Sequence, residues 1–448
     1  MKILLKNGQI LDSLTESKNK VDILINGAKI GTLGTNIVDK DALIIDARDK
    51  IIVPGIIDAH VHFRQPGQEH KETIYTGSRA AVAGGFTTVI AEPNTVPPID
   101  TPSRIKEVLE IANKQSIVNF YTKACISRMM AGERLVDVQS LNTAGAAAIS
   151  DDGHPVPGKK LMNNALKKGA LYGILVNPHC EESELYRQKI IQQNKKRSQP
   201  HLSPEWMPYS RSPSFEPYHS ETGFIERDIE LAEKTGAKIH ISHVSLARSV
   251  IAIAKAKKRG VAITAEATPH HFLLTEKDAK EIGTNAKVNP PLRSKEDVAA
   301  IKSGLVDGTI DTIATDHAPH SPQEKAVPWE QAPFGIIGLE TALGLVLTYL
   351  VKPGLLTLAQ VIDKMSTTPT KIFGLPPRRL IEGQPADLTI IDLEKKWRVN
   401  VDQFYSKGRN CPFGGWELQG KAVMTIVGGR IVMQDGRIIE SDGEILIQ

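Results

Sequence analysis

Residues 51–62 read IIVPGIIDAHVH, an apolar run typical of a buried strand that ends in two histidines. Seven later segments have the same form, an apolar run followed by polar residues: FTTVIAEPN (86–94), VNFYTKACI (118–126), AGAAAISDD (144–152), ALYGILVNPHC (170–180), AKIHISHVS (237–245), GVAITAEATPH (260–270) and TIDTIATDH (309–317). Helical patterns separate these segments, and this alternation is typical of βα units around a parallel sheet. Eight such units predict an α/β protein built on a (β/α)8 TIM barrel.

Both ends of the chain differ from this middle part. Short strand-like runs with Asn-Gly and Gly turns occupy residues 3–13 and 22–34, and the same pattern returns in residues 383–395 and 420–439. We therefore predict one small β-sandwich domain formed by residues 1–52 and 378–448, with the barrel spanning residues 53–377. Residues 191–220 contain five prolines and little periodicity, which predicts an irregular insertion loop, either a lid or a surface insertion.

Composition restricts the class of protein. The chain has 448 residues, 41% hydrophobic and 24% charged, and its formal charge of +4 is spread over the sequence, so nothing indicates a nucleic-acid partner. The three cysteines are scattered, which fits a reducing compartment. The first residues lack the apolar core of a signal peptide, and the apolar stretch at 338–351 is shorter than a membrane span. We expect a cytoplasmic enzyme with no membrane partner.

His60 and His62 are two residues apart, which on a strand places both imidazoles on one face. Two converging imidazoles begin a zinc site, although alone they could be the polar end of a strand. The other predicted strand ends bring further ligand types to the same rim: Asp151, Asp152, His179, His243 and Asp316. Four histidines and two aspartates exceed one tetrahedral zinc, so the set predicts either two metals sharing a hydroxide or one filled position beside a weaker one.

The adjacent acids Asp151 and Asp152 compete for the role of bridging ligand. A carboxylate can give one oxygen to each of two metals, and we assign the bridge to Asp151. Asp152 has the alternative of an Asx-type turn with Gly153. The chemistry alone separates the two only weakly.

Other polar residues near the predicted strand ends suit a substrate. Arg64 follows His62 by two positions and offers a planar fork for a carboxylate, unless it is a surface arginine. Asn94 and Asn289 are amides next to or near prolines, where turn residues are common. His270 and His271 remain unassigned. The sequence contains no P-loop, dinucleotide fingerprint or Ser–His–Asp order.

A series of motifs carries a resemblance to a known family. The motifs are, in order, DAHVHFRQPG (58–67), EPNT (92–95), SDDG (150–153), HC (179–180), HISHVS (240–245), TPHH (268–271), NPPLR (289–293), ATDHAPH (314–320) and APFGIIGLET (332–341). With them the chain resembles the amidohydrolase superfamily and, within it, the bacterial dihydroorotases, nearly end to end. The resemblance implies reversible hydrolysis of (S)-dihydroorotate to N-carbamoyl-L-aspartate in de novo pyrimidine biosynthesis, with one or two Zn²⁺ per subunit. It is compatible with a homodimer and with association with aspartate carbamoyltransferase.

The resemblance also implies roles for individual residues. The first metal would be held by His60, His62 and Asp316, the second by His179 and His243, and Asp151 would bridge them, as in the branch that uses aspartate instead of a carboxylated lysine. His243 is favoured over His240 as the ligand. Asp316 would also act as general base and then acid while hydroxide activated by the metals attacks the ring amide. The implied substrate contacts are Arg64, Asn94 and His320 for the carboxylate, and Asn289 with the Phe334–Gly335 backbone for the ring amide.

Some residues depart from the family pattern. Glu92 stands where a methionine is usual, and Asn177 and Pro178 stand where acidic or small residues are more familiar. Two alternative functions remain. An allantoinase or dihydropyrimidinase is disfavoured by Arg64 and by the missing bridging lysine. An inactive scaffold for aspartate carbamoyltransferase is disfavoured because the predicted ligands are all retained.

Overall fold

The structure, a computed structural model, describes residues 2–12, 15–181, 220–440 and 445–446. The insertion predicted at 191–220 lies outside these residues except for Ser220. Among the helices in the described ranges, none is both long enough and apolar enough to cross a membrane.

Strands from both ends of the chain form one sheet of ten strands. Their order is β18-β17-β16-β15-β14-β5-β1-β2-β3, and β4 pairs with β1. The strands are β1 (Lys2–Asp12), β2 (Thr15–Asn26), β3 (Lys29–Gly34), β4 (Leu43–Asp46), β5 (Ile51–Pro54), β14 (Leu388–Arg398), β15 (Glu417–Val427), β16 (Arg430–Gln434), β17 (Arg437–Ile439) and β18 (Ile445–Leu446). Early and late strands meet where β5 runs antiparallel to β14.

A hydrophobic core joins the two ends of the chain. Ile3, Ile23 and Ile52 from the early strands pack in one buried cluster with Leu388 and Ile426 from the late strands. Burial of such side chains contributes about 1.5–3 kcal/mol each relative to exposure. The prediction that the two ends pair with each other is therefore consistent with the observed sheet.

The middle of the chain supplies eight parallel strands. β6 (Ile56–Val61), β7 (Phe86–Ala91) and β8 (Asn119–Thr122) form one sheet. β9 (Ala148–Ile149), β10 (Leu175–Val176), β11 (Ile239–Ile241), β12 (Ile263–Ala267) and β13 (Thr312–Ile313) form another, also in chain order. Single parallel bridges, Ala124 with Ile149 and Val61 with His317, connect the two sheets at both junctions. Each of the eight predicted segments contains one of these strands.

The first predicted segment is not a single strand. Residues 51–62 divide into β5, which belongs to the ten-stranded sheet, and β6, which begins the parallel strands, with Gly55 between them. A Cβ atom on Gly55 would lie 2.1 Å from Thr87 Oγ1, so only glycine fits where the chain passes from one sheet to the other. β5 also extends to Pro54, beyond the domain limit predicted at residue 52.

Helices follow most of the parallel strands. The α-helices are Ile74–Ala83, Pro102–Gln115, Val138–Thr143, Lys159–Tyr172, Ser220–Thr235, Ala247–Lys258, Pro269–Leu273, Glu276–Ile282, Lys295–Asp307, Pro322–Lys325, Leu339–Val346, Leu358–Ile362 and Thr368–Ile372. The 3₁₀ segments are Arg128–Met130, Gly283–Ala286 and Val401–Gln403, and π-helical turns span Leu347–Val351 and Asp363–Thr367.

Because all eight strands run in the same direction, their carboxyl ends meet at one rim.

Candidate active site

The two histidines at the first parallel strand are each fixed by a hydrogen bond at the ring nitrogen Nδ1. His60 lies in β6 and His62 directly follows it, and both are buried. Nδ1 of His60 is 2.6 Å from Glu266 Oε1, and Nδ1 of His62 is 2.8 Å from Asn94 Oδ1. Since a carboxylate and an amide oxygen only accept hydrogen bonds, each Nδ1 carries the proton and donates it. Both Nε2 atoms are thereby directed into the cluster: that of His62 lies 3.0 Å from Asp316 Oδ1, and that of His60 is buried with no hydrogen-bond partner among the described residues.

Asp152 lies at the centre of the histidine cluster. Its Oδ1 is 3.4 Å from each of three ring nitrogens, those of His60, His179 and His243. Its Oδ2 is 3.4 Å from Nε2 of His62. One carboxylate therefore faces all four histidines, which is the geometry that a bridging ligand needs.

Asp151, which we predicted to bridge, points elsewhere. Its Oδ1 accepts hydrogen bonds from the backbone N–H groups of Ile126, at 2.8 Å, and Ser127, at 3.1 Å, and the Ser127 hydroxyl donates to Oδ2. Burial raises the pKa of Asp151 to about 6. Asp151 thus fixes the segment after β8, and it is the carboxylate of Asp152, not that of the predicted Asp151, that faces the histidines.

The remaining predicted ligands converge on the same point. Asp316 Oδ1 lies 3.0 Å from His62 Nε2 and 3.5 Å from His60 Nε2. Nδ1 of His179 is 3.0 Å from Nε2 of His243, and the amide of Asn289 is 3.0 Å from Nε2 of His179. His240 faces Thr264 and Glu266 instead of this cluster.

The donor set fits a divalent metal. Two overlapping groups have ligand atoms close enough to share an ion, His60 with Asp152 and His243, and His60 with His62 and Asp316. Burial opposes the charged form of His60, but the Glu92, Asp152, Glu266 and Asp316 carboxylates raise its pKa well above the ordinary value. Burial opposes ionisation of Asp316 as well, yet His60 and His62 lower its pKa. Metal binding to such a cluster would be coupled to proton release, because histidines that bind a metal must be neutral.

Three of the candidate residues have a positive backbone φ, which residues other than glycine rarely adopt. Arg64 has a φ of 58°, His243 of 33° and Asp316 of 50°. A non-glycine residue in this region costs of order 1–3 kcal/mol, and such residues concentrate at functional sites. At these three positions the surrounding structure holds the backbone in a conformation that few residues other than glycine adopt.

Arg64 and His320 form the edge of the site. The Arg64 Nε donates to the Pro319 carbonyl at 3.3 Å, and one terminal nitrogen is 3.3 Å from His320 Nε2. The same Nε2 is 2.8 Å from the Phe334 carbonyl. Burial, followed by the charge of Arg64, lowers the pKa of His320 to about 2, so the ring is neutral. Its Nε2 therefore carries the proton that it donates to Phe334, and it does not accept one from Arg64.

The backbone N–H and carbonyl of Gly335 are already hydrogen-bonded within the protein. Its N–H donates to the Lys287 carbonyl at 2.9 Å, and its carbonyl accepts from Lys325 Nζ and Asn410 Nδ2, both at 3.0 Å. Its φ is 134°, and a Cβ atom at this position would lie 2.7 Å from the Ala318 carbonyl oxygen, so glycine is required here. Of the predicted Phe334–Gly335 pair, Gly335 shapes the turn beside His320.

Sequence reasoning missed two buried charged residues next to the predicted ligands. Glu266 lies in β12 and contacts both His60 and His240, and Lys123 directly follows β8 and pairs with Glu92. Both residues were visible as charged positions inside otherwise apolar runs. Their partners come from other strands, which a single segment of sequence does not reveal.

Known proteins match this chain over nearly its whole length. A curated dihydroorotase of Pelotomaculum thermopropionicum is 45% identical over 97% of this chain and 99% of its own length, and one of Acetivibrio thermocellus is 42% identical with the same coverage of both chains. Among solved structures, an L-hydantoinase (dihydropyrimidinase) from Arthrobacter aurescens superposes with a TM-score of 0.85 at 28% identity, covering 100% of this chain and 97% of its own.

The family assignment follows from these matches. The family model described as "Amidohydrolase family" matches residues 51–432, which is most of the chain. Family and structural neighbour together imply a TIM-barrel fold with an additional domain, in agreement with the eight parallel strands and the separate ten-stranded sheet. The chain belongs to the amidohydrolase family.

Proposed function

We propose that this chain is a dihydroorotase, a metal-dependent cyclic amidohydrolase that interconverts (S)-dihydroorotate and N-carbamoyl-L-aspartate. The observation that carries the proposal is the position of the Arg64 guanidinium at the edge of a cluster of four histidines and two aspartates. Full-length identity of 42–45% to curated dihydroorotases supports the same reaction.

The cluster is assigned to zinc. His60, His62 and Asp316 would hold one ion, His179 and His243 a second, and Asp152, in place of Asp151, would lie between them. A bound zinc ion lowers the pKa of water toward neutrality and polarises a carbonyl oxygen. Glu266 and Asn94 keep the Nε2 atoms of His60 and His62 directed at the metal positions.

Asp316 is assigned to proton transfer. Its Oδ1 faces the histidines, and the second oxygen, Oδ2, is the atom that takes the proton from water and passes it to the departing ring nitrogen. His60 and His62 lower the pKa of Asp316 against the effect of burial, so the carboxylate is ionised at neutral pH and can accept a proton. In the direction of ring closure, the same oxygen starts protonated.

Arg64 is assigned to the substrate carboxylate. Because His320 donates its Nε2 proton to Phe334, the facing terminal nitrogen of Arg64 has no acceptor in that ring and is available to a ligand. Burial lowers the pKa of Arg64 to about 10, which leaves it charged at neutral pH in a partly desolvated place. A charge-assisted hydrogen bond of this kind contributes about 1.5–3 kcal/mol, or about ten- to a hundredfold in selectivity.

The other substrate contacts remain proposals of the same kind. Asn94 would reach the carboxylate with its amide nitrogen, since its oxygen accepts from His62. His320 would lie on the carboxylate side with Arg64, and Asn289 and Phe334 would line the ring amide side. Gly335, whose backbone N–H and carbonyl are already hydrogen-bonded, would only shape the turn there. We also propose that the fold is a closed barrel beside a β-sandwich of residues 1–52 and 378–448, in a cytoplasmic enzyme. A homodimer and association with aspartate carbamoyltransferase stay predictions.

A dihydropyrimidinase or hydantoinase is the second candidate, because the Arthrobacter aurescens structure of that activity superposes closely. Neutral cyclic amides lack the carboxylate that Arg64 would bind. The purified protein is assayed on dihydroorotate, dihydrouracil and allantoin, alongside the variant Arg64→Met. We expect turnover of dihydroorotate alone, reduced about ten- to a hundredfold in kcat/KM by the variant. Preference for dihydrouracil or allantoin, or a variant with unchanged kcat/KM, contradicts the proposal.

A further inference from the structure

A buried group of charged and polar residues lies directly beside the proposed metal site. Glu92, Lys123 and Asn177 are each the first residue after a parallel strand, β7, β8 and β10 respectively. All three are almost completely buried, with exposed fractions of 2%, 0% and 0%. Lysine and glutamate are almost never fully buried unless they are paired, so the group needs an explanation.

The three side chains form a clamp around the ammonium of Lys123. The Lys123 Nζ donates to Glu92 Oε1 and to Asn177 Oδ1. Asn177 is fixed in turn, because its Nδ2 donates to the His240 carbonyl at 2.7 Å and to Ser242 Oγ at 2.8 Å. The clamp is thus anchored on β11 and determines where the Glu92 carboxylate lies.

Glu92 is within ligand distance of the metal position. Its Oε1 is 3.6 Å from Nε2 of His60, nearly the same as the 3.4 Å and 3.5 Å that separate this nitrogen from Asp152 and Asp316. Two ligand atoms on one tetrahedral zinc are about 3.3–3.6 Å apart, given bonds of about 2.0–2.2 Å. The other oxygen of Glu92, Oε2, is buried and makes no hydrogen bond in the described part of the chain.

We propose that Lys123 is a positioning residue of the metal centre: its ammonium, held by Asn177, occupies the Glu92 oxygen that faces His60 and so prevents Glu92 from becoming an additional ligand of the metal at His60. The inference rests on the proposed metal-dependent function. An additional carboxylate would bind the ion more tightly and take the place where water must be activated. Glu92 is a buried carboxylate beside His60, so this chain needs a lysine that an apolar residue at position 92 would not require.

The test compares the variants Lys123→Met and Lys123→Gln with the double variant Glu92→Met/Lys123→Met. Zinc affinity is measured by chelator competition. The visible absorption spectrum of the Co²⁺-substituted protein is recorded, and kcat is measured with dihydroorotate as substrate. The single variants lose the charge-assisted hydrogen bond that competes with the metal for Glu92, so they should bind zinc about 10- to 100-fold more tightly while kcat falls by a similar factor. An added ligand should also weaken the visible absorption of Co²⁺. The double variant, which has no carboxylate to release, should return all three readouts close to the wild-type values.

General damage to the site would lower zinc affinity and kcat together, so opposite changes separate positioning from a structural role. Lys364→Met is the matched control, because it removes another buried lysine, one that donates to the Ile310 carbonyl. Wild-type or weakened zinc affinity in a folded single variant overturns the inference. So does failure of both single variants to fold when the double variant folds. If the wild type binds no zinc and does not hydrolyse dihydroorotate, the proposed function itself fails.

Discussion

The adjacent aspartates provide the sharpest test of the site, because the sequence favoured Asp151 and the structure favours Asp152. The variants Asp152→Asn and Asp151→Asn each remove one charge from neighbouring, buried positions. Asp152 lies 3.4 Å from three histidine nitrogens, whereas Asp151 accepts hydrogen bonds from the segment that begins at Ile126. The two substitutions should therefore have different effects.

The size of the first effect follows from the distances. Two unit charges about 4 Å apart interact by about 4 kcal/mol at an effective dielectric constant of 20, or about a thousandfold in affinity, and a divalent ion held by the Asp152 carboxylate would interact at least as strongly. Asp152→Asn should therefore lose most of its zinc affinity and its activity on dihydroorotate. Asp151→Asn loses a charged acceptor of hydrogen bonds from Ile126 and Ser127, which should lower the free energy of unfolding by about 1.5–3 kcal/mol. It should keep both zinc and kcat.

The assay measures zinc content after dialysis, kcat with dihydroorotate, and urea unfolding for both variants and the wild type. A loss of zinc and activity in Asp151→Asn, together with their retention in Asp152→Asn, would refute the assignment of the bridging position to Asp152. Equal zinc loss in both variants would refute the separation between a ligand and a structural carboxylate.

Two further predictions concern stability. Gly55→Ala should lower the free energy of unfolding by about 1–3 kcal/mol, because its Cβ would lie 2.1 Å from Thr87 Oγ1. Gly34→Ala is the control and should have little effect, because its nearest contact is at 3.8 Å. Equal unfolding temperatures of the two variants would contradict this prediction. Burial raises the pKa of Glu340 from 4.5 to about 8, so the folded state keeps a proton that the unfolded state loses between these values. The wild type should therefore lose stability relative to Glu340→Gln as the pH rises from 4.5 to about 8, and parallel unfolding temperatures over this range would contradict the raised pKa.

The positions of the parallel strands along the chain could be predicted, because each apolar run ends in polar residues and this pattern depends only on local sequence. The division of the first run could not. IIVPGIIDAHVH is apolar on both sides of Gly55, and only the contact with Thr87, from another strand, shows that the chain changes sheet there. Glycine within an apolar run indicates a close approach without showing what approaches.

The cluster of histidines could also be predicted, because all four imidazoles lie at or shortly after the ends of three parallel strands, His60 and His62 at β6, His179 after β10 and His243 after β11. The orientation of the aspartate pair could not, since β9 ends at Ile149 and strand alternation no longer determines which face Asp151 and Asp152 occupy. The partners of Glu266 and Lys123 could not be predicted from the sequence either, because they depend on which strands are adjacent across the rim.

The central claim is that the histidine and aspartate cluster is a metal centre that hydrolyses dihydroorotate. It is tested most directly by measuring hydrolysis of dihydroorotate by the wild-type protein before chelation, after chelation and after zinc is added back, with zinc content determined at each step. The account predicts activity that disappears with one or two zinc ions per chain and returns with them. Full activity in protein shown to be free of metal would contradict it.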